Sequence, residues 1–122
     1  MELDERRLRA VRDGEPLHVL ENGIVIVRRV KHEPKDFTGL SKAEVERQTN
    51  KTNGSKFLPG TTLAQIVTMT ADVLRENQAV CGTTKVYNKT CGKPIGISRG
   101  REVRCLRVQV NGRWAHGFPV EG

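Results

Sequence analysis

Residues 102–120 read EVRCLRVQVNGRWAHGFPV, two runs of alternating residues joined by Asn-Gly. Asn-Gly in this setting is the strongest short signal for a β-hairpin, because a type I′ turn needs positive φ at both central residues. If Asn111 and Gly112 are those two residues, the register is fixed. The predicted pairs are then Val110 with Arg113, Gln109 with Trp114, Val108 with Ala115, Arg107 with His116, and Cys105 with Phe118.

The two faces of this predicted hairpin differ in chemistry. One face is apolar and typical of a side that lies on a core, with Leu106, Val108, Val110 and Ala115. The other mixes cation, amide, imidazole and aromatic groups, in Arg107, Gln109, Trp114, His116 and Phe118. Such a face suits an RNA base and its phosphate. An equally good interpretation is a minor core of Trp114 and Phe118 beneath a helix, with Arg107 and His116 at its rim.

Length and charge bound the class of protein. At 122 residues we expect a single domain, 1–122, with one modest core. The chain has 21 Lys and Arg against 14 Asp and Glu, a formal charge of +7. This balance favours an acidic partner, with nucleic acid ahead of an anionic membrane or an acidic protein.

The amino end and the cysteines carry few signals. Residues 2–12 fit a short helix whose arginines form a solvated face or, as a minority interpretation, an arm that contacts phosphate: Arg6, Arg7, Arg9 and Arg12. No signal-peptide stretch and no apolar run of roughly 18 residues occurs, so no membrane partner is expected. The three cysteines lack the close spacing of a zinc site, and we expect reduced structural thiols, or one disulfide if the protein is exported. No metal or cofactor is predicted.

A second Asn-Gly, Asn22-Gly23, joins LHVLE to IVIVRRV. Both faces of this predicted hairpin are apolar, which is typical of strands at the centre of a sheet. The same counting places His18 opposite Val27, as a core or edge histidine rather than a ligand.

The second strand of this hairpin ends in basic residues, Arg28, Arg29, Lys31 and His32. The end of a rigid strand is a common place for functional residues, and cationic neighbours lower the proton affinity of a histidine. His32 is therefore a candidate acid or base near neutral pH. The alternative is a basic strand end that meets solvent.

The middle of the chain predicts two helices and two loops. Ser41 and Glu44 form a capping box for a short helix over residues 41–50, and an exposed basic loop follows at 49–60. Apolar residues at helical spacing predict the main helix over 61–78, and 80–87 is a candidate strand. Residues 88–101 form a loop that either binds phosphate or only connects strands; its cations are Lys89, Lys93, Arg99 and Arg101. The order predicts an α+β fold, a mainly antiparallel sheet of four to five strands built from the two Asn-Gly hairpins, with helices packed on one face.

Two short stretches resemble a known family. KHEPKDF at residues 31–37 is similar to the KHxxDF signature of colicin D-type bacterial tRNA-cleaving toxin domains, with one extra residue before Asp36. NGRWAHGF at 111–118 resembles the family's closing hairpin, with His116 where the family has serine. The resemblance implies a metal-independent endoribonuclease of the barnase, colicin D and RelE-like fold group. It also implies a toxin that acts in the cytoplasm, is delivered as part of a larger secreted protein, and is neutralised by an acidic immunity protein.

The residues themselves allow this chemistry. Cleavage of RNA without metal needs a base for the 2′-OH, an acid for the leaving 5′-oxygen, and cations for the phosphorane. The candidates are His32 and His116 for proton transfer, Lys31 and Arg107 for charge, and Trp114 or Phe118 for base stacking; Arg28, Arg29, Lys93, Arg99 and Arg101 are candidate RNA contacts. The alternatives are a basic RNA- or DNA-binding protein of phage, plasmid or ribosomal origin without catalysis, and a basic protein-interaction or inhibitor module.

Overall fold

A computed structural model of the chain describes residues 13–122. It contains two α-helices, a short 3₁₀ helix and eight strands. In chain order these are β1 (Pro16–Val19), β2 (Val25–Val27), the 3₁₀ helix (Val30–His32), α1 (Lys42–Gln48), β3 (Lys56–Phe57), α2 (Leu63–Glu76), β4 (Thr83–Thr90), β5 (Gly96–Ser98), β6 (Arg101–Val103), β7 (Cys105–Gly112) and β8 (Trp114–Val120). The predicted α+β class is confirmed. The predicted helix at 2–12, with its arginines, lies outside the described residues.

The strands form two sheets. The main sheet has five strands in the order β1-β2-β8-β7-β4, and all its pairs are antiparallel except β2 with β8, which is parallel. The smaller sheet, β3-β5-β6, packs at the carboxyl end of β8, where Gly96 leaves no room for a Cβ beside Pro119. Helix α2 buries Ile66, Thr70, Ala71, Val73 and Leu74 against the core.

The closing hairpin has the predicted faces but a different register. Asn111 pairs with Trp114 and Val110 with Ala115, so Gly112 and Arg113 are the central residues of the turn. Gly112 has φ +66° and Arg113 has a negative φ, which is the type II′ pattern rather than type I′. The pairing has moved by two residues, and because side chains alternate with period two, each residue keeps its predicted face.

The first hairpin is not the centre of the sheet, which corrects the prediction. Strand β1 is an edge strand, and its Val19 is 58 % exposed. His18 pairs with Ile26, not Val27, because the loop has three residues between Leu20 and Ile24. Only β2, buried along its whole length, is internal. Apolar residues on both faces therefore occur in one internal strand, β2, and in one exposed edge strand, β1.

Residues 88–101 are not a loop, which is a second correction. Strand β4 continues to Thr90, and β5 and β6 form a hairpin with Arg99 and Gly100 at its tip. Their φ angles are +51° and +76°, so the type I′ geometry expected at Asn-Gly occurs here instead. Strand β3 likewise interrupts the predicted loop at 49–60.

Both helices begin with a side-chain cap. Ser41 accepts a hydrogen bond from the Glu44 backbone N–H, but the Glu44 carboxylate binds Arg47 and Gln48, so only half of the predicted capping box forms. The complete capping box lies at the start of α2, between Thr62 and Gln65. Within residues 13–122 no helix is both long and apolar enough to cross a bilayer. The three cysteines are free thiols.

Candidate active site

An open hollow of about 610 Å³ lies where β7 and β8 meet the 3₁₀ helix, the residues before β3, and the β5–β6 hairpin. Within residues 13–122, five cationic side chains line it: Arg29, Lys31, Lys51, Arg99 and Arg107. Among the described residues the only carboxylate in its lining is Glu121. The hollow is therefore strongly positive and suited to a phosphate group.

Two histidines lie in the hollow on a shared aromatic ring. His116 and Phe118 are alternate residues of β8 and project from the same face, with ring centroids 5.5 Å apart. His32, from the 3₁₀ helix after β2, stacks on Phe118 at 4.7 Å. The parallel pairing of β2 with β8 places the end of β2 beside this part of β8. Two imidazoles separated by 84 positions in the chain thus contact the same benzene ring.

A backbone contact fixes the tautomer of His32. Its Nδ1 lies 2.7 Å from the carbonyl oxygen of Ser55. Because a carbonyl can only accept, Nδ1 carries the proton and Nε2 keeps its lone pair. The buried Ser55 hydroxyl in turn donates to the carbonyl oxygen of Pro119 at 2.5 Å. This pair of bonds ties His32 to the end of β8 through Ser55.

The pKa values of both histidines are shifted downward. Burial is the main cause of the lowered pKa of His32, with the charges of Lys31, Lys56 and Arg29 adding to it and the Ser55 hydrogen bond opposing it. Burial, then Arg29 and His32, lowers the pKa of His116 to about 4, while Asp13 opposes the shift. Both rings are therefore neutral at pH 7 in the free protein.

These shifted pKa values predict that stability falls with acidification before the carboxylates titrate. The ordinary histidine pKa is 6.5 and that of folded His116 is about 4, so the unfolded chain binds protons in this window that the folded chain does not. Stability then rises with pH, is complete above 6.5, and is lost as the pH falls toward 4. We expect the urea midpoint to drop between pH 6.5 and 4.5. His116→Gln should flatten this slope and the exposed His18→Gln should not; identical slopes in all three proteins would contradict the assignment.

Arg99 reaches the hollow from a hairpin tip that is anchored at its base. The Arg99 N–H donates to the Thr49 carbonyl, and the Gly100 N–H donates to the Thr49 hydroxyl, both at 2.8 Å. That hydroxyl also donates to the carbonyl of Val45 in α1, and Thr49 is 1 % exposed. The tip is therefore held against the end of α1, with the Arg99 side chain in the lining of the hollow.

Most of the sequence-predicted site residues meet in the hollow. Its lining includes all four candidate catalytic residues, together with three of the candidate RNA contacts: His32, His116, Lys31 and Arg107, then Arg29, Arg99 and Phe118. Lys31 runs along Gly54, whose φ of +84° and close approach leave no space for a side chain. Arg107 is oriented by the Asn88 side-chain oxygen, 3.0 Å from Nε.

Four of the candidate RNA contacts lie elsewhere. Arg28 is held by Glu33 at 2.6 Å and Glu15 at 3.2 Å, so two carboxylates already occupy its guanidinium. Lys93 lines a separate groove beside α2, Arg101 is exposed on β6, and Trp114 lies at the turn end of β8. From the motif at 31–37, Asp36 is also outside the hollow; its carboxylate accepts hydrogen bonds from Thr38, which lower its pKa.

The hollow also contains residues that the sequence analysis missed. Lys51 belongs to the segment predicted as a basic loop, so its charge was a usable signal. Ser55 gave none, because its partners His32 and Pro119 are 23 and 64 positions away. Asn50 and Ser98 complete the polar lining.

Comparison with known proteins gives no relative: no family model, curated protein or solved structure matches the chain. The colicin D-type resemblance therefore stays a prediction from two short motifs. Within residues 13–122 no group of three or more His, Cys, Asp or Glu side chains is arranged to hold a metal ion.

Proposed function

We propose that the protein is a metal-independent endoribonuclease that cleaves RNA in the cationic hollow by histidine acid–base catalysis. The observation that carries the proposal is the pair of imidazoles stacked on Phe118 among five cationic side chains. A phosphodiester in the hollow would have proton-transfer groups and positive charge around it. These are the components that cleavage through the neighbouring 2′-OH requires.

His32 suits the role of base. Its Nε2 is unprotonated because Nδ1–H donates to Ser55, and its lowered pKa keeps it neutral at pH 7. Nε2 takes the 2′-OH proton as the 2′-oxygen bonds to phosphorus. The P–O5′ bond then breaks, leaving a 2′,3′-cyclic phosphate, and the 5′-oxygen leaves with a proton from the acid.

His116 suits the role of acid once substrate is bound. In the free protein its pKa of about 4 leaves it neutral at pH 7. A phosphate anion beside an imidazole favours the charged form and raises its pKa. The negative charge of the bound substrate would therefore raise the pKa of His116 and favour its protonated form. Lys31 and Arg107 in the same lining would stabilise the charge that develops on the phosphorane oxygens.

The resemblance adds a biological setting to the proposal. A tRNA substrate, cytoplasmic action after delivery within a secreted toxin, and an acidic immunity protein all follow from the two family-like motifs. The formal charge of +7 is compatible with both RNA and an acidic protein partner.

A second candidate is an RNA-binding protein without catalysis. The low pKa of His116 favours it, because a ring with a pKa of about 4 is neutral at pH 7 in the free protein and donates no proton unless bound phosphate raises that pKa. The cationic hollow would then only hold RNA, and affinity would fall linearly with the logarithm of salt concentration.

Incubation with RNA in EDTA separates the two candidates. We expect the purified protein to cut single-stranded RNA with EDTA present and to leave DNA of the same sequence intact, because only RNA has the attacking 2′-OH. Gel electrophoresis of end-labelled strands measures this. RNA that is bound in a salt-dependent way but remains intact after long incubation would support the binding protein instead.

A further inference from the structure

One face of the main sheet continues from the hollow and is not covered by any other part of residues 13–122. Cross-strand pairing aligns Thr84 with Asn111 and Trp114, Val86 with Gln109 and His116, and Asn88 with Arg107 and Phe118. We call the exposed members the open sheet face: Thr84, Val86, Asn88, Gln109, Asn111 and Trp114. Core residues such as Val108 and Val110 occupy the opposite face. The open sheet face carries hydroxyl, amide and aromatic groups and no carboxylate.

Of the two aromatic side chains predicted as stacking platforms, only Trp114 remains available. Phe118 already stacks with His32 and His116 in the hollow. Trp114 is 46 % exposed although it is a large apolar side chain. The Arg113 guanidinium lies 5.4 Å from the centroid of the Trp114 ring. A cation beside an aromatic ring adds positive charge to a surface on which a nucleic-acid base can stack.

Trp114 lies next to the hollow along β8. Trp114 precedes His116 by two residues on the same face, which corresponds to about 7 Å along an extended strand. Gln109, the cross-strand partner of His116, lines the edge of the hollow that is nearest to Trp114 and its partner Asn111. An RNA strand that leaves the hollow toward Trp114 thus passes the Gln109 amide first, and amides hydrogen-bond the edges of unpaired bases.

We propose that the open sheet face binds a single-stranded RNA segment and that the base next to the cleaved phosphate stacks on Trp114. This inference rests on the proposed function, because the RNA base that reaches Trp114 is determined by the phosphate that lies in the hollow. The occupant is RNA because the face is continuous with five cations and offers a stacking surface without negative charge. It is single-stranded because a base must leave its helical stack to lie on an aromatic side chain.

Trp114 is the single tryptophan of the chain, so its fluorescence reports the proposed contact directly. The probe is a short 2′-O-methyl RNA, which lacks the attacking hydroxyl and stays intact. We expect quenching of Trp114 on binding. Trp114→Ala should weaken binding about 5- to 150-fold, and Trp114→Phe should retain much of the affinity. A control probe that carries the bound phosphate but lacks the nucleotides on either side of it cannot reach Trp114. It should bind wild type and Trp114→Ala equally.

Three outcomes would overturn the inference: no quenching on binding, equal affinity of wild type and a folded Trp114→Ala for the long probe, or equal quenching by a duplex of the same sequence. A urea titration establishes that Trp114→Ala is folded. Because the probe is uncleavable, the result is independent of catalysis. Quenching by the probe without cleavage of ordinary RNA would refute the nuclease and leave the open sheet face as an RNA-binding surface.

Discussion

Replacing His116 with alanine is expected to lower kcat/KM for RNA cleavage about 10²- to 10⁴-fold, the usual contribution of a positioned acid or base. The reason is that His116 lies in the hollow on Phe118 and is the proposed proton donor to the leaving 5′-oxygen. His32→Ala should cause a loss of similar size through the base. The double variant should lose less than the product of the two effects, because the pair acts as a unit.

His18→Ala is the matched control for both variants. His18 is an exposed histidine on the edge strand β1, outside the lining of the hollow. It should cleave RNA like wild type in the same initial-rate assay. If either His32→Ala or His116→Ala retained full cleavage, that histidine would have no part in the mechanism.

Replacing Phe57 with alanine is expected to cost about 3–5 kcal/mol of unfolding free energy, the range for truncating a fully buried phenylalanine. Phe57 is 1 % exposed and belongs to the main core cluster, although β3 has only two residues. Its removal leaves a cavity between the small sheet and the core. The measurement is a urea titration, in which the midpoint should fall while the slope m is unchanged.

Phe37→Ala controls for the chemistry of the substitution. Phe37 is only partly buried, in the segment between the 3₁₀ helix and α1, and it is not part of the core cluster. Its truncation should shift the midpoint much less. Equal shifts for Phe37→Ala and Phe57→Ala would show that β3 does not anchor the small sheet to the core.

Local patterns in the sequence predicted the elements whose causes are local. The apolar positions of α2 and the alternation along β7 and β8 gave the buried faces correctly, because a register error of two residues preserves the face. The predicted type and position of the turn were wrong, because Asn-Gly permits a type I′ turn but does not require it. The type I′ turn at Arg99-Gly100 had no Asn-Gly signal, and its positive φ at Arg99 is held by hydrogen bonds to Thr49, which lies far away in the sequence.

Features that depend on distant contacts could not be predicted. The edge position of β1 and the parallel pairing of β2 with β8 depend on how all strands of the sheet assemble. The apolar composition of a single strand does not determine either of them. The cationic end of β2 identified His32 and Lys31 as candidates, but the occupation of Arg28 by Glu15 and Glu33 depends on how the chain folds back. The same is true of the Ser55 carbonyl that sets the tautomer of His32.

The end groups of the cleaved RNA test the account most directly. The substrate is a DNA strand with one ribonucleotide, incubated with the protein in EDTA and analysed by ³¹P NMR and mass spectrometry. The account predicts a single cut after the ribonucleotide, which leaves a 2′,3′-cyclic phosphate and a free 5′-hydroxyl. An intact strand, or a product with a 5′-phosphate, would contradict a mechanism in which an imidazole base activates the 2′-OH.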